Sequence, residues 1–392
     1  MSKITSCGII AEYNPFHNGH AYHLSEAKRR TGADVVVVVM SGNFVQRGEP
    51  ALMDKETRTC LALTYGADVV LELPWYAAVQ SADYFGELAV NILGAVGVEA
   101  LCFGIDADDH FDYMSFAKAE QEQQSALTST YQQVTTAHPE ASYAKRMEMV
   151  YQHVFPDVAV DWHQPNHVLG LSYARANVKQ KRPMTVVTVP RKQAEHRSLE
   201  LGQIASGTAI RQAVFSHQMD DIKQAVPSKT WEALQQQSLH TWNDYWPYLQ
   251  YEVLSRTTED LSHIYQMTEG LEHRCQKVMM TCSSFDEWCQ ALQSSRYTKA
   301  KIQRLSTYIM TNTKEKDVTF SLAHPYIKVL GMTPAGRRWF KQQSPQYPVV
   351  NNIRQQHPIA FEYEKRYDVL YHLPFRDVQR VITQYHPIMV DQ

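Results

Sequence analysis

Glu12-Tyr13-Asn14-Pro15-Phe16-His17-Asn18-Gly19-His20 holds the residue types whose chemistry is easiest to name. Two imidazoles separated by Asn-Gly can face one side of a turn, and the intervening glycine lets a nucleotide ring approach the backbone. Where such a turn opens a helix, free N–H groups add further donors for phosphate oxygens. Four residues alone also fit an ordinary Asn-Gly turn. Position tells against that plain alternative, because the segment follows a strand-like run, where open α/β sheets bind ligands. A second segment, Ile204-Ala205-Ser206-Gly207-Thr208-Ala209-Ile210-Arg211, opens another helix. Ser206 or Thr208 can cap it and Arg211 can fork onto phosphate oxygens, although a capped amphipathic helix would read the same. Neither GxxxxGK[ST] nor GxGxxG occurs, so P-loop and dinucleotide-binding chemistry lack their signatures, and neither NAD nor flavin is expected.

The elements that must hold these groups alternate strand and helix. Residues 4–12 form a mostly apolar run that reads as a buried strand, and similar runs recur at 34–40, 68–73, 98–103 and 184–189. Helical patterns lie between them, from about Gly19 to Arg30, Asp54 to Tyr65 and Ala77 to Leu93. This βαβ rhythm predicts an α/β fold with a Rossmann-like parallel sheet and right-handed crossovers. A polar, helical insertion is expected at about 106–165, and a mainly α-helical part follows the sheet. The expected division is 1–215, the sheet part that carries both phosphate-suited segments, and 216–392, helical.

Bulk properties narrow the classes. At 392 residues the chain suits about two domains. Lys+Arg number 38 against Asp+Glu 41, a net charge of −3, so any nucleic-acid surface has to be a local patch. No apolar run approaches the length of a membrane span, and the N-terminus lacks a signal-peptide pattern, which makes the cytoplasm the expected compartment. Six scattered cysteines without a CxxC pair suggest free thiols rather than a zinc site. Cys275, Cys282 and Cys289 recur every seven residues, as packing on one helix face would have them.

Taken together, His17-Asn18-Gly19-His20 and Ser206-Gly207-Thr208-Ala209-Ile210-Arg211 resemble the HxGH and S-x-T-x-[IL]-R elements of the nucleotidyltransferase superfamily. Longer stretches are similar to the bacterial tRNA(Met) cytidine acetate ligase family: Glu12 to His20, Met40-Ser41-Gly42-Asn43-Phe44-Val45-Gln46-Arg47-Gly48-Glu49-Pro50, Leu71-Glu72-Leu73-Pro74, Val79 to Phe85, Arg296-Tyr297-Thr298 and Leu330-Gly331-Met332. The resemblance implies an enzyme that uses ATP, as its Mg²⁺ complex, and acetate to form acetyl-adenylate. It then acetylates the wobble cytidine of elongator tRNA(Met) to N4-acetylcytidine. It also implies ATP contacts from Ile10, Ala11, Glu12, Tyr13, Asn14, Pro15, Phe16, His17, Asn18, Gly19, His20, Ala21, Tyr22 and His23, and from Gly104, Asn166, Arg191, Ser206 and Thr208. His17, His20 and Arg211 are expected to act electrostatically on the phosphates. Asn166 would equally serve as a helix N-cap.

RNA contact is expected from Arg296, Lys299, Lys301 and Arg304, with Tyr297 and Tyr308 as stacking platforms. Arg337, Arg338 and Lys341 form a second basic patch. Two alternatives remain: a coenzyme-type adenylyltransferase, and a non-catalytic RNA-binding protein on a nucleotidyltransferase fold.

Overall fold

The computed structural model describes residues 3–105, 111–141, 143–158, 164–190, 205–268, 270–294, 296–350, 359–377 and 386–390. Its first five strands are β1 (Ser6–Ala11), β2 (Val35–Ser41), β3 (Val69–Leu73), β4 (Ala100–Ile105) and β5 (Thr185–Pro190). They lie side by side in the order β5-β4-β1-β2-β3, all parallel. Covered on both faces, such strands need no polar alternation, and every residue of Val35–Ser41 is buried. The starts and ends predicted from sequence agree with these strands to within two residues.

Parallel neighbours require crossovers, which the chain supplies as helices. Asn18–Thr31, Lys55–Thr64 and Gly207–Phe215 cover one face, while Ala82–Ala95 and Pro165–Val178 cover the other. The chain moves outward from β1 through β2 to β3, then returns to β4 on the opposite side of β1. That reversal leaves a crevice beyond the carboxyl ends of β1 and β4, the usual ligand position in such sheets.

The insertion carries helices Tyr113–Glu122, Gln124–Ala137 and Tyr143–Val154. The helix expected over 77–93 is instead divided into Trp75–Ala78 and Ala82–Ala95. The break is held by Gln80, whose carbonyl accepts from Gln46 Nε2 at 2.6 Å while its own Nε2 donates to the Tyr265 hydroxyl at 3.1 Å.

The chain beyond 216 is mainly helical but also enlarges the sheet. Strand β6 (Ile327–Met332) pairs antiparallel with β3, and β7 (Val349–Val350) and β8 (Ile388–Met389) pair with β6. Without β6, strand β3 would present an open edge. The junction is fastened by buried charge: Lys55 Nζ lies 2.6 Å from both Glu72 and Asp368, and Lys328 Nζ lies 2.8 Å from Glu72. Glu72, Glu364 and Asp368 cluster as metal ligands can, but the two ammonium groups already neutralise the charge a cation would meet. The three cysteines do not share one helix face, because the chain turns between them: Cys275 lies on Leu271–Met279, Cys289 on Phe285–Leu292 and half-buried Cys282 in the connection. Cys275 and Cys289 are nevertheless buried in the same apolar core as Trp288, in keeping with packing.

Candidate active site

Strand β1 runs into the crevice and stops at Ala11, and the next six residues make the turn into the first helix. His17 is the N-cap, in extended backbone, and is 6% exposed. Its N–H donates to His20 Nδ1 at 3.2 Å, and the two rings stack with centroids 3.6 Å apart. Tyr13 and Phe16 wedge the pair from beneath; Tyr13 meets the His20 ring edge-on at 4.8 Å, and Phe16 stacks on Tyr65. Asn18 is engaged from the far half of the chain, donating its N–H to Ala225 O at 3.1 Å and its Nδ2 to Gln224 O at 2.7 Å.

The second segment converges on this turn. Ser206 caps the Gly207–Phe215 helix by accepting the Ala209 N–H at 3.2 Å, which resolves the choice between Ser206 and Thr208. Gly207 approaches so closely that a Cβ there would lie 2.9 Å from Asn14 O. Arg211 Nη1 donates to the same carbonyl at 2.7 Å, and its Nη2 reaches Glu49 Oε2 at 3.3 Å and Thr208 Oγ1 at 3.4 Å. The start of the second helix and its guanidinium therefore meet the turn that leads into the first helix and its two imidazoles, a donor set suited to a polyphosphate.

The other expected ATP residues fall around this point. Ile10 and Ala11 are half-buried at the end of β1, while Pro15 is buried in the turn. Gly19, Ala21 and Tyr22 lie half-buried on the first turns of the helix, as does His23, whose Nε2 is 3.7 Å from Cys102 Sγ. Gly104 lies within β4 opposite Val189, one residue before the strand ends. Asn166 sits in the first turn of Pro165–Val178, where Gln164, not Asn166, is the N-cap. Arg191 lies outside the described residues.

Sequence reasoning missed three residues that shape the crevice. Arg58 is fully buried and binds four carbonyl oxygens, those of Met53, Glu12, Ser41 and Gly42. Gln46 donates its N–H to Glu12 Oε1 at 2.8 Å, and burial holds the Glu12 carboxyl above the usual carboxylate range. Glu49 binds Arg211 with one oxygen and Gln303 Nε2, at 3.1 Å, with the other. Only the unbroken motif-like run from Met40 to Pro50 hinted at the last two, since their partners are remote in sequence.

The expected RNA cluster divides. Arg296 and Lys299 are exposed, and Lys299 meets Asp286 at 3.4 Å on the surface. Tyr297 and Tyr308 are buried, which corrects their expected use as stacking platforms. Lys301 Nζ lies 4.8 Å from the Tyr297 ring centre, and the Tyr308 hydroxyl donates to Val79 O in the core. Arg304 is half-buried, with its backbone against Gly48, whose φ of +78° and lack of a side chain permit the contact. Arg337, Arg338 and Lys341 are exposed.

Comparison with known proteins agrees with this geometry. The family model described as HIGH Nucleotidyl Transferase matches residues 4–385. The tRNA(Met) cytidine acetate ligase of Latilactobacillus sakei is 38% identical over 353 residues, covering 88% of this chain and 87% of that protein. That of Listeria monocytogenes is 34% identical, covering 93% and 94%. Crystal structures of Thermotoga maritima TmcAL, one apo and one bound with alpha-thio ATP, superpose with TM-scores of 0.88 and 0.87 at 26% identity, each covering 99% of this chain and 100% of that one. With its phosphate-suited crevice and a match along nearly its whole length, this chain belongs to the HIGH nucleotidyl transferase family and, within it, to the tRNA(Met) cytidine acetate ligases.

Proposed function

We propose that this protein joins acetate to ATP, releasing pyrophosphate, and passes the acetyl group from acetyl-adenylate to N4 of the wobble cytidine of elongator tRNA(Met). The observation that carries the reading is the approach of the Ser206–Arg211 helix start to Asn14 O, in the turn that leads into His17 and His20. Acetate is too weak an electrophile to acylate an aromatic amine. Its oxygen therefore attacks the ATP α-phosphorus, pyrophosphate departs, and the adenylate provides a good leaving group.

The residues act by position and charge. His17 and His20, with the N–H groups at the helix start, hold phosphate oxygens as charge moves onto the departing pyrophosphate, and Arg211 exchanges its contact with Glu49 for a phosphate. The turn from Ile10 to His23, Gly104, Asn166, Arg191, Ser206 and Thr208 complete the ATP contacts. Mg²⁺ arrives with ATP as part of the substrate, with most of its shell supplied by phosphate and water. Arg296, Lys299, Lys301 and Arg304 would track RNA phosphates, with base stacking left to other residues. Residues 1–215 thus serve ATP and 216–392 serve tRNA, a division of labour in a cytoplasmic enzyme rather than a cut in the fold.

The test is pyrophosphate release from ATP with and without acetate and tRNA, followed by mass analysis of the tRNA nucleosides. Acetate-dependent release with N4-acetylcytidine is the expected result. Release that needs neither acetate nor RNA would favour a coenzyme adenylyltransferase, and no release would favour a binding protein.

A further inference from the structure

Acetyl transfer to cytidine leaves a proton to be removed. The N4 lone pair is delocalised into the ring, so attack on the acetyl carbon creates a strongly acidic N–H as the new bond forms. A positioned base at the crevice would accept that proton. The imidazoles are poorly suited, because His17 and His20 stand at a helix N-terminus, where the dipole opposes a gain of positive charge. His20 Nδ1 is moreover occupied by the His17 N–H.

Glu12 meets the requirement by geometry. It is the first residue beyond β1, at the point where the strand order reverses, and two residues before the carbonyl that receives Arg211. Both ends of the residue are fixed: its carbonyl accepts from Arg58 Nη1 at 2.7 Å, and its Oε1 accepts from the Gln46 N–H at 2.8 Å. Gln46 is itself braced by Gln80 O. No Lys or Arg forms an ion pair with Glu12, and its Oε2 has no hydrogen-bond partner, among the described residues. A carboxylate held by one oxygen with the other open is arranged to receive a proton rather than to stabilise the fold through a salt bridge.

We propose that Glu12 is the proton acceptor of the acetyl-transfer step, a role that rests on the ligase reading above. As cytidine N4 bonds to the acetyl carbon, the bond from that carbon to the adenylate oxygen breaks and its electron pair leaves with AMP. The N4 proton passes to Glu12 Oε2 and then to water. Adenylation differs, because acetate attacks already ionised and no proton is transferred. The groups facing Glu12 are Glu49 and Arg47 on the 41–50 loop, Arg211, Arg58 and Tyr173. Burial and Glu49 raise its proton affinity, while the Gln46 bond, Arg211 and Arg47 lower it; the balance is upward, which strengthens it as an acceptor.

The experiment is single-turnover transfer from chemically supplied acetyl-adenylate to unmodified elongator tRNA(Met), from about pH 5 to about pH 8.5. Wild type should show a rate that rises with pH along an acid limb. Glu12→Gln, whose amide oxygen can still accept from Gln46, should transfer about a hundredfold more slowly and lose the limb. Glu12→Asp should keep the limb at a reduced rate. Wild-type transfer without an acid limb, a limb that persists in Glu12→Gln, or a Glu12→Gln rate within about threefold of wild type would each overturn the role. Should Glu12→Gln not fold, the wild-type profile and Glu12→Asp decide. Acetate-dependent exchange of pyrophosphate into ATP by wild type is run alongside: its absence refutes the ligase reading itself, whereas exchange with pH-independent transfer refutes Glu12 alone.

Discussion

Replacing Arg58 by methionine should destabilise the protein by about 3–5 kcal/mol, an estimate that follows from how the guanidinium is used. The side chain is 0% exposed, and among the described residues no carboxylate receives its hydrogen bonds. Instead Nε donates to Met53 O at 3.0 Å, Nη1 to Glu12 O at 2.7 Å and Ser41 O at 3.0 Å, and Nη2 to Gly42 O at 2.5 Å. The carbonyls of Glu12, Ser41 and Gly42 lie where β1 and β2 run out of the sheet, and that of Met53 just before the Lys55–Thr64 helix, so one cation ties two strand ends to a helix start. Methionine fills the volume and leaves the acceptors without that donor, at about 1–3 kcal/mol each where water cannot enter. Part of this is offset, since burying the guanidinium itself costs several kcal/mol, a cost that also lowers its pKa. Lysine keeps the charge but concentrates its donors on one nitrogen, which cannot span four carbonyls, so Arg58→Lys should lose about half as much. Thermal unfolding followed by tryptophan fluorescence measures both, with an expected fall in Tm of roughly 4–6 °C for methionine in a chain of this length. The KM for ATP should rise in parallel, because the Glu12 carbonyl is one of the four. A methionine variant melting within about 1 °C of wild type would refute the assignment.

Gly207→Ala places a Cβ 2.9 Å from the Asn14 carbonyl, which belongs to a packed turn and cannot yield cheaply. The expected result is about 1–2 kcal/mol of lost ATP affinity, seen as a roughly tenfold higher KM in pyrophosphate exchange; an unchanged KM would mean that the two helix starts need not touch. Glu364 is buried beside ionised Glu72, and burial first, then that charge, push it up to about 8 from 4.5. The folded protein therefore keeps a proton that the unfolded chain releases, so this stabilisation is complete below about pH 4.5 and disappears as the pH rises through about 8. Glu364→Gln should flatten the decline of Tm across that window, and parallel profiles for the two proteins would refute the protonation state. Arg296→Ala with Lys299→Ala should weaken tRNA binding and flatten its dependence on salt while acetate-dependent pyrophosphate exchange without RNA persists; an unaltered salt slope would move the RNA surface elsewhere, Arg337, Arg338 and Lys341 being the next to test.

What the sequence made legible was local. Parallel strands buried on both faces read as nearly unbroken apolar runs, as β2 and β3 do, and the mostly apolar runs of β1, β4 and the half-buried edge strand β5 were also enough to place them. The His17–His20 turn and the Ser206–Arg211 helix start were readable because a cap and its helix are neighbours in the chain. What stayed hidden depends on partners far away. Strand β6 contains Lys328, which looks like a surface residue until Glu72 of β3 is placed beside it. Tyr297 and Tyr308 have the spacing of a stacking surface, but spacing does not reveal which face of a helix is covered. Arg58 reads as one more charge on a helix, and only the carbonyls gathered from four other positions give it a task.

The same distant contacts explain why a helical half follows the sheet in one chain. Ala225 O and Gln224 O hold Asn18 at the start of the first helix, Gln303 holds the Glu49 that pairs with Arg211, and Trp242 Nε1 and Thr307 Oγ1 both donate to Gly48 O. Each of these contacts lands on the His17–His20 turn or on the 41–50 loop, the two segments that flank Glu12. A displacement of the Lys299–Met310 helix would therefore act on Glu49 and Gln46 without crossing the apolar core. In a ligase of this kind, the half proposed to receive RNA is in direct contact with the loop that positions the proposed proton acceptor, so a sheet domain cut at residue 215 would lose the supports of its own site as well as the partner for the edge of β3.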